Sequence, residues 1–317
     1  MLCGDFAQLA PIEKDGNIRF CFESSVWKEN LTDSTIYLSE IVRQTDPIFQ
    51  RILTNLRLGQ LTAEDKKVLN SRLITDESEA DMVVEEEAEE GDEDRMKDGS
   101  GARRVVGTIK ATVLYPRKKD VNRINTVELQ KLLHSGAKAH TFRSTDMLMN
   151  KKSRKVERIK QTHIDTLNKC TTAPETLVLA IGAQVMLTKN KAIEEGLVNG
   201  SRGVVIDIDA TGGPVVLFDN GITLTIAQES FEMDAGSNCI VRKQVPLILA
   251  WALTIHKCQG ATLTNVITDL AGVFGDAQVY VTLSRCKSLE GLFIVNINYA
   301  RATCNKKVKA YYQNLGK

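Results

Sequence analysis

The chain has 317 residues, 43% of them hydrophobic and 26% charged, the proportions of a folded chain long enough for two domains of roughly 150 residues each. Six prolines and 21 glycines exclude a collagen-like or Pro/Gly-dominated polymer, and the longest strongly apolar run, residues 245–255, is too short and proline-interrupted to cross a bilayer. The net charge of +1 hides a segregation: residues 76–98 hold thirteen acids against two bases, which leaves the rest of the chain with 39 bases against 27 acids and suits it to a polyanion.

The start, MLCGDFAQLAP, has an acid at position 5 and no basic segment, unlike a secretory signal. Residues 1–4 read as the last strand residues before a loop. Residues 37–58 read as helical: Ile48, Ile52 and Leu56 recur at four-residue steps, Ile41 and Phe49 share the apolar face, and Asp46 with Pro47 can open the second part. Thr62 to Asp65 reads as a cap that starts a short helix to about Leu73. Residues 75–103, acidic and glycine-punctuated, read as a solvated, mobile loop, although a polyanion in cis can also mimic nucleic acid.

Ala111–Tyr115 reads as a strand ended by Pro116, and Asp120 as the cap of a helix to about Leu133 with Val121, Ile124, Leu129, Leu132 and Leu133 on its buried side. Residues 146–172, polar and basic, read as an irregular connection, and Leu177–Leu187 as strand-like. From 200 to 245 the pattern is all-β: RGVVIDID alternates, and VVLF-DNG-ITLTI is a hairpin with Asn220-Gly221 at its turn. VPLILAW (245–251), NVITDL (265–270) and GLFIVNI (291–297) then read as buried strands, with a helix at 276–286, the rhythm of a largely parallel sheet covered on both faces. The seven cysteines form no C-x-x-C pair, and the four histidines are not at zinc-ligand spacing from them, which reads as reduced thiols in an intracellular protein.

Four strings carry candidate chemistry. Gly4-Asp5-Phe6-Ala7-Gln8 at a strand end can line a nucleotide crevice, or be a plain turn. Arg43-Gln44 places an arginine on an amphipathic helix, where a solvated charge is the plain alternative. Thr254, His256, Lys257, Gln259, Gly260 and Thr262 follow an apolar strand and offer donors for phosphate or sugar; a capped strand-to-helix turn is the other reading. Gln278 and Arg285 stand seven residues apart, close to two helical turns, and a guanidinium there can fork onto phosphate oxygens or sit in a surface salt bridge.

In this order the strings resemble the PIF-type (petite-integration-frequency) DNA helicases of superfamily one, relatives of RecD. GDFAQLAPI is similar to the family's third motif, FESSVW and LSEIVRQTDPIF to the stretch leading into the fourth, and ATVLYPRKKDVNRIN to the strand and helix that follow. IGAQVMLTKN and GLVNGSRGVV resemble the entry to an inserted barrel, QVPLILAWALTIHKCQGATL motif five, and QVYVTLSRCKSLEGL motif six. The departures are Ala10 for a proline, Cys258 for serine, Ala277 for glycine and Thr282 for alanine.

The resemblance implies an α/β protein: a RecA-like parallel-sheet lobe with an inserted small, Src-homology-three-like β-barrel, plus a remnant of a first RecA-like lobe. Its expected boundaries are 1–40 for the remnant, 41–182 and 244–300 for the second lobe, 183–243 for the barrel and 301–317 for a tail. It implies an ATP-dependent 5′-to-3′ DNA helicase that acts on single-stranded and forked duplex DNA in repair, recombination and telomere maintenance, inside the cell and, if the host is a eukaryote, in its nucleus or mitochondrion, with no membrane partner. Gln8, Arg43 and Arg285 are the expected catalytic residues; Gly4, Asp5, Gln8, Arg43, Gln259, Gly260 and Arg285 the ATP-binding ones; Asn199, Thr254, His256, Lys257, Gln259 and Thr262 the DNA-binding ones. No G-x-x-x-x-G-K-[ST] string occurs, so the phosphate loop and the Mg²⁺ ligands are expected in a preceding lobe. This chain is then the C-terminal part of a helicase, inactive alone and poorly supported over its first forty residues. The alternatives are an ATPase-inactive DNA-binding or regulatory module, and a RecD- or relaxase-type helicase.

Overall fold

A computed structural model of the chain describes residues 2–11, 17–75 and 109–315; the expected acidic loop, 75–103, lies outside the described residues save for Thr75. The described residues form two compact units. The first takes in those up to 75, 111–121 and from 253 onward, and the second 109–110 and 122–252. Strands are numbered in chain order.

The first unit is α/β. Its sheet runs β13-β1-β14-β15, from β1 (Thr112–Tyr115), β13 (Ala252–Thr254), β14 (Val266–Leu270) and β15 (Leu292–Ile297). β14 lies parallel to both β1 and β15, with Val113 opposite Ile267 and Ile267 opposite Phe293. Thr112, Val113 and Leu114 are buried in succession, as are Val266, Ile267 and Thr268. Consecutive burial means that both faces are covered, as a parallel sheet requires.

The helix expected from residue 37 begins only at Pro47 and runs to Arg57. A proline disfavours helix in the residue before it; Asp46 is extended and its Oδ1 accepts the Ile48 N–H at 2.8 Å. The buried face is Phe49, Ile52, Leu53 and Leu56, while Ile48 is exposed. Residues 37–46 are therefore irregular, and Arg43 lies on no helix. Thr62 caps the next helix, Ala63–Asn70, in a reciprocal box with Asp65. Residues 2–5 form no strand, in contrast to the expectation.

The tail is a helix, Lys306–Leu315. Its Val308 and Tyr312 pack with Phe6, Ala7, Phe20 and Phe22, Tyr311 stacks on Phe22 with centroids 4.4 Å apart, and Phe6 meets Trp27 edge-on at 5.5 Å. The early residues thus share a small aromatic core with the tail, while Leu2, Val26, Ile36 and Leu38 stand exposed.

The second unit is mostly β. Its five-stranded antiparallel sheet runs β12-β6-β7-β8-β9, from β6 (Gln184–Leu187), β7 (Arg202–Ile208), β8 (Pro214–Phe218), β9 (Thr223–Thr225) and β12 (Leu247–Leu249). β8 and β9 form the expected Asn220-Gly221 hairpin. The run 245–251 is not one strand of the parallel sheet: β12 pairs with β6 here, and β13 starts anew at Ala252. Leu177–Leu187 is likewise two strands, because Gly182 turns the chain at φ +89° between β5 (Thr176–Leu179), which pairs with β2 (His140–Arg143), and β6. The helix Lys118–His134 has Asp120 inside its first turn rather than as its cap, and lays Ile124, Leu129 and Leu132 on the core of Leu179, Val185, Leu187, Val205 and Phe218.

Residues 146–172 are ordered, not an irregular connection. β3 (Thr145–Asn150) and β4 (Val156–Glu157) join β10 (Glu229–Ala235) and β11 (Asn238–Gln244) in a sheet of order β10-β11-β3-β4, followed by the helix Gln161–Cys170. The unit is accordingly larger than residues 183–243. A fully buried Arg242 ties it together: its guanidinium pairs with Asp146 and donates to Asn168 Oδ1 at 2.8 Å and the Ala173 carbonyl at 3.1 Å. Arg242→Ala leaves Asp146 nearly buried without its cation, and is expected to cost this unit about 3–5 kcal/mol in urea unfolding; a loss below about 1 kcal/mol would show that the pair is dispensable.

Candidate functional site

The turn that follows β13 organises the candidate site in the first unit. The Thr254 carbonyl accepts the N–H groups of Lys257 (2.9 Å) and Cys258 (3.1 Å), so that Ile255 and Cys258 are buried while His256, Lys257 and Gln259 are exposed. Gly260 has φ +89°, a left-handed conformation that a side chain disfavours. Around it the turn reaches three separate partners. Gln259 Nε2 donates to Gln8 Oε1 at 3.2 Å, the Ala261 carbonyl accepts from Arg285 Nη1 at 3.4 Å, and Thr262 Oγ1 accepts from Arg43 Nε at 3.0 Å.

Ser284 joins the two arginines from the other side. Its carbonyl accepts from Arg43 Nη1 at 3.1 Å and its Oγ from Arg285 Nη2 at 2.7 Å. Buried Gln44 donates to the carbonyls of Ser284 and Cys286, and so anchors the irregular segment that presents Arg43. Arg285 Nε also donates to the Val281 carbonyl at 2.9 Å. Among the described residues, both guanidiniums have only neutral hydrogen-bond partners. Arg285 is only 1% exposed; burial first, and then the Arg43 charge, lower its affinity for its proton. Arg285 is thus folded onto its own turn and does not stand free as an extended finger would.

Asp5 is an anchor. Its carboxylate accepts from Arg57 Nη2 at 2.8 Å, the Tyr312 hydroxyl at 2.9 Å and the Ala7 N–H at 3.0 Å, with the Tyr280 hydroxyl at 3.4 Å. Burial alone would raise this carboxyl, but Arg57, the Ala7 amide and Tyr312 together hold it below its ordinary 3.8. Burial and then the Asp5 charge push Tyr280 up to about 12 and Tyr312 higher still, so both phenols stay protonated donors. Tyr312 also accepts the Phe6 N–H at 3.0 Å, and Arg57 lies over its ring, 4.2 Å from the centroid. The loop bearing Gln8 is therefore positioned by a residue of the tail.

Gln8, His256 and Gln278 line one open hollow with Pro11, Phe20 and Phe274. Gln278 is buried and its Oε1 accepts the N–H groups of Phe274 and Gly275. Lys257 is lowered by desolvation and then by Lys118, a second ammonium. Gly4 is exposed ahead of the Asp5 turn. The structure thus gathers Asp5, Gln8, Arg43, Gln259, Gly260, Thr262 and Arg285, with Thr254, His256 and Lys257 in the same turn. Asn199 belongs to the second unit, exposed, with its N–H donating to Asn190 Oδ1 at 2.8 Å. Sequence reasoning missed Arg57, Tyr312 and Ser284. Only the Val308-Tyr311-Tyr312 spacing hinted at an apolar helix face in the tail.

The family model described as DNA helicase Pif1, 2B domain, matches residues 163–208, inside the second unit. The ATP-dependent DNA helicase PIF1 of Homo sapiens is 34% identical over 319 residues, covering 99% of this chain and 43% of the human protein. A crystal structure of Pif1 helicase from Candida albicans matches with a TM-score of 0.70 at 31% identity, covering 99% of this chain and 68% of that one. The chain belongs to the Pif1 helicase family. A Pif1 helicase from Bacteroides, in complex with ADP-AlF3 and ssDNA, shares the fold at a TM-score of 0.59 and 24% identity, over 99% of this chain and 66% of that one. The chain spans about two fifths of the human relative's length.

Two departures from the Pif1 pattern have physical counterparts. Ala277, where the pattern has glycine, is buried at φ +64°, a left-handed conformation that glycine adopts without penalty. Thr282, where it has alanine, is buried with its hydroxyl donating to the Gln278 carbonyl at 2.8 Å. Cys258 is buried and its thiol pushed up to about 12, chiefly by that burial.

The Asp5 anchor gives a signed pH dependence. A carboxyl held below its ordinary value stabilises the fold fully above that value, and the stabilisation is lost as pH falls through the lowered one. Wild-type protein is expected to exceed Asp5→Asn by about 1–3 kcal/mol in denaturant unfolding at pH 7, with the gap closing below about pH 4. A gap independent of pH would show that the ionised carboxylate is not what anchors the loop.

Proposed function

We propose that this chain supplies the second RecA-like lobe, an inserted small barrel and half of the nucleotide site of a 5′-to-3′ DNA helicase. The observation that carries this reading is the convergence of Gln8, Arg43 and Arg285 on one turn, with two guanidiniums and no described acid hydrogen-bonded to either. Such a pair is poised for a polyanionic ligand, because a phosphate offers each arginine a charged acceptor in place of a neutral carbonyl. ATP is the substrate that the family implies; Gln8, Arg43, Gln259 and Arg285 are the residues here that would meet it. Mg²⁺, bound by a preceding lobe, would neutralise charge on the phosphates. Arg43 and Arg285 would stabilise charge on the transferred group, a role worth roughly 10³–10⁵ in rate where it operates.

Thr254, His256, Lys257 and Thr262 would contact the DNA backbone, and Asn199 with the five-stranded sheet would form part of the channel. The match of residues 163–208 to the 2B domain supports the second part. Backbone contacts suit a motor that steps along any sequence. Repair, recombination and telomere maintenance are the processes that the family resemblance suggests.

In a full-length helicase containing these residues, Arg285→Ala is expected to abolish DNA-stimulated ATP hydrolysis while single-strand affinity changes less than threefold. Hydrolysis within tenfold of wild type would overturn the assignment. The 317-residue chain, which has no phosphate-loop string, is expected to turn over no ATP but to bind oligo-dT with an affinity that falls steeply with salt. Measurable DNA-stimulated turnover by the chain alone would point to another ATP site, and salt-independent binding would count against a phosphate track.

A further inference from the structure

The basic stretch that sequence reading set aside as a connection is a built hairpin. β3 and β4 pair antiparallel, Leu148 opposite Glu157 and Met149 opposite Val156. The Asn150 N–H donates to the Lys155 carbonyl and the Arg154 N–H to the Asn150 carbonyl, both at 2.9 Å. Asn150 Oδ1 accepts the N–H groups of Lys152 (3.1 Å) and Ser153 (3.0 Å), and Arg154 closes the tip at φ 57°. The Lys151 N–H donates to the Ser237 carbonyl of the β10–β11 turn at 3.1 Å. The tip is thus held by its own backbone and by its neighbour.

Residues 151–160 hold six bases, Lys151, Lys152, Arg154, Lys155, Arg158 and Lys160, against one acid, and all seven are exposed. Lys151 pairs with Asp234. Glu157, the one acid, accepts from the side-chain amides of Asn150 and Asn238 and neutralises no base. Among the described residues the other five bases have no ion-pair partner. Residues 143–175 contain no Phe, Tyr or Trp, so the hairpin has no ring on which to stack an unpaired base. Charge without stacking fits phosphates that are held at fixed positions whatever the sequence.

We propose that the β3–β4 hairpin is a docking surface for the backbone of duplex DNA, separate from the single-strand contacts assigned above. The inference rests on the DNA-motor reading, and it adds a second contact class, in the second unit, to that reading. The competing role for these charges is to keep the edge strand β4 from pairing with another chain.

The test is fluorescence anisotropy on the 317-residue chain, with labelled 20-nucleotide oligo-dT and a 20-base-pair blunt duplex, across a salt series. The triple variant Lys152→Gln/Lys155→Gln/Arg158→Gln is expected to weaken duplex binding about tenfold or more. It should also flatten the duplex log–log salt slope by roughly 3, at about 0.9 per lost phosphate contact, while oligo-dT affinity changes less than twofold. The charge-keeping variant Lys152→Arg/Lys155→Arg/Arg158→Lys is expected to bind duplex as the parent does, which separates charge from shape. Equal losses on both probes, an unchanged duplex slope, or a triple variant that self-associates with duplex binding intact would each overturn the proposal. A parent chain that binds oligo-dT but no duplex overturns the hairpin alone; one that binds neither overturns the motor reading with it.

Discussion

Two like charges gathered with no carboxylate bonded to either are the constraint around which the first unit is organised; Asp5 attracts Arg285 but is itself bound to Arg57. Arg43 and Arg285 repel, and Arg285 is buried as well, so each would be expected to seek a carboxylate or solvent. Instead the fold gives them the carbonyls of Val281, Ala261 and Ser284 and two hydroxyls, Thr262 and Ser284. These neutral acceptors satisfy donors but leave net charge in place. A site that accumulates charge of one sign at some cost to the resting fold is a site arranged for a ligand of the other sign.

The second unit provides the contrast. Its buried Arg242 has Asp146, and Lys189 and Lys191 share Glu229. Arg202 is the exception: burial lowers it to about 10, its Nε has no hydrogen-bond partner among the described residues, and Asp219, whose charge attracts it, is exposed. Arg242 and the two lysines are paired where they leave water, as stability demands. Unpaired bases collect at the exposed hairpin tip, where solvation makes them cheap to keep and screening makes their attraction to a polyanion depend on salt.

What was legible in the sequence was whatever rests on local pattern or on a string. The Thr62 cap, the Asn220-Gly221 hairpin and the strands β1, β14 and β15 follow from short-range chemistry. The residues of the candidate site announced themselves as polar groups crowded at strand ends. The errors arose where tertiary pairing decides. An apolar run such as 245–255 has no period to show that it is divided between two sheets. The charged stretch 151–160 looked like a linker because its order comes from β11, some 80 residues away in sequence. Arg43 was placed on a helix because the apolar spacing continues past Pro47 in the wrong direction, although the proline itself forbids it. Tyr312 could not be linked to Asp5 at all, since only the folded chain makes partners of residues 307 apart.

The burial of Arg285 constrains how the site can work. A guanidinium has five N–H donors and its three neutral acceptors occupy three of them, but the side chain is only 1% exposed, so engagement of a phosphate requires the arginine or the turn around it to shift. The Ala261 carbonyl, at 3.4 Å, is the weakest of the three, and it lies in the same turn whose Gln259 touches Gln8 and whose Thr262 touches Arg43. Exchanging that carbonyl for a phosphate oxygen replaces a long neutral bond with a charge-assisted one and releases the turn from Arg285. His256 and Lys257, proposed above as DNA contacts, are part of that turn, so in that reading they would be mechanically tied to the arginine that would answer to the nucleotide. Coupling of this kind would need no long pathway: one loop of nine residues, 254–262, holds both the proposed DNA contacts and the partners of Arg285, Arg43 and Gln8.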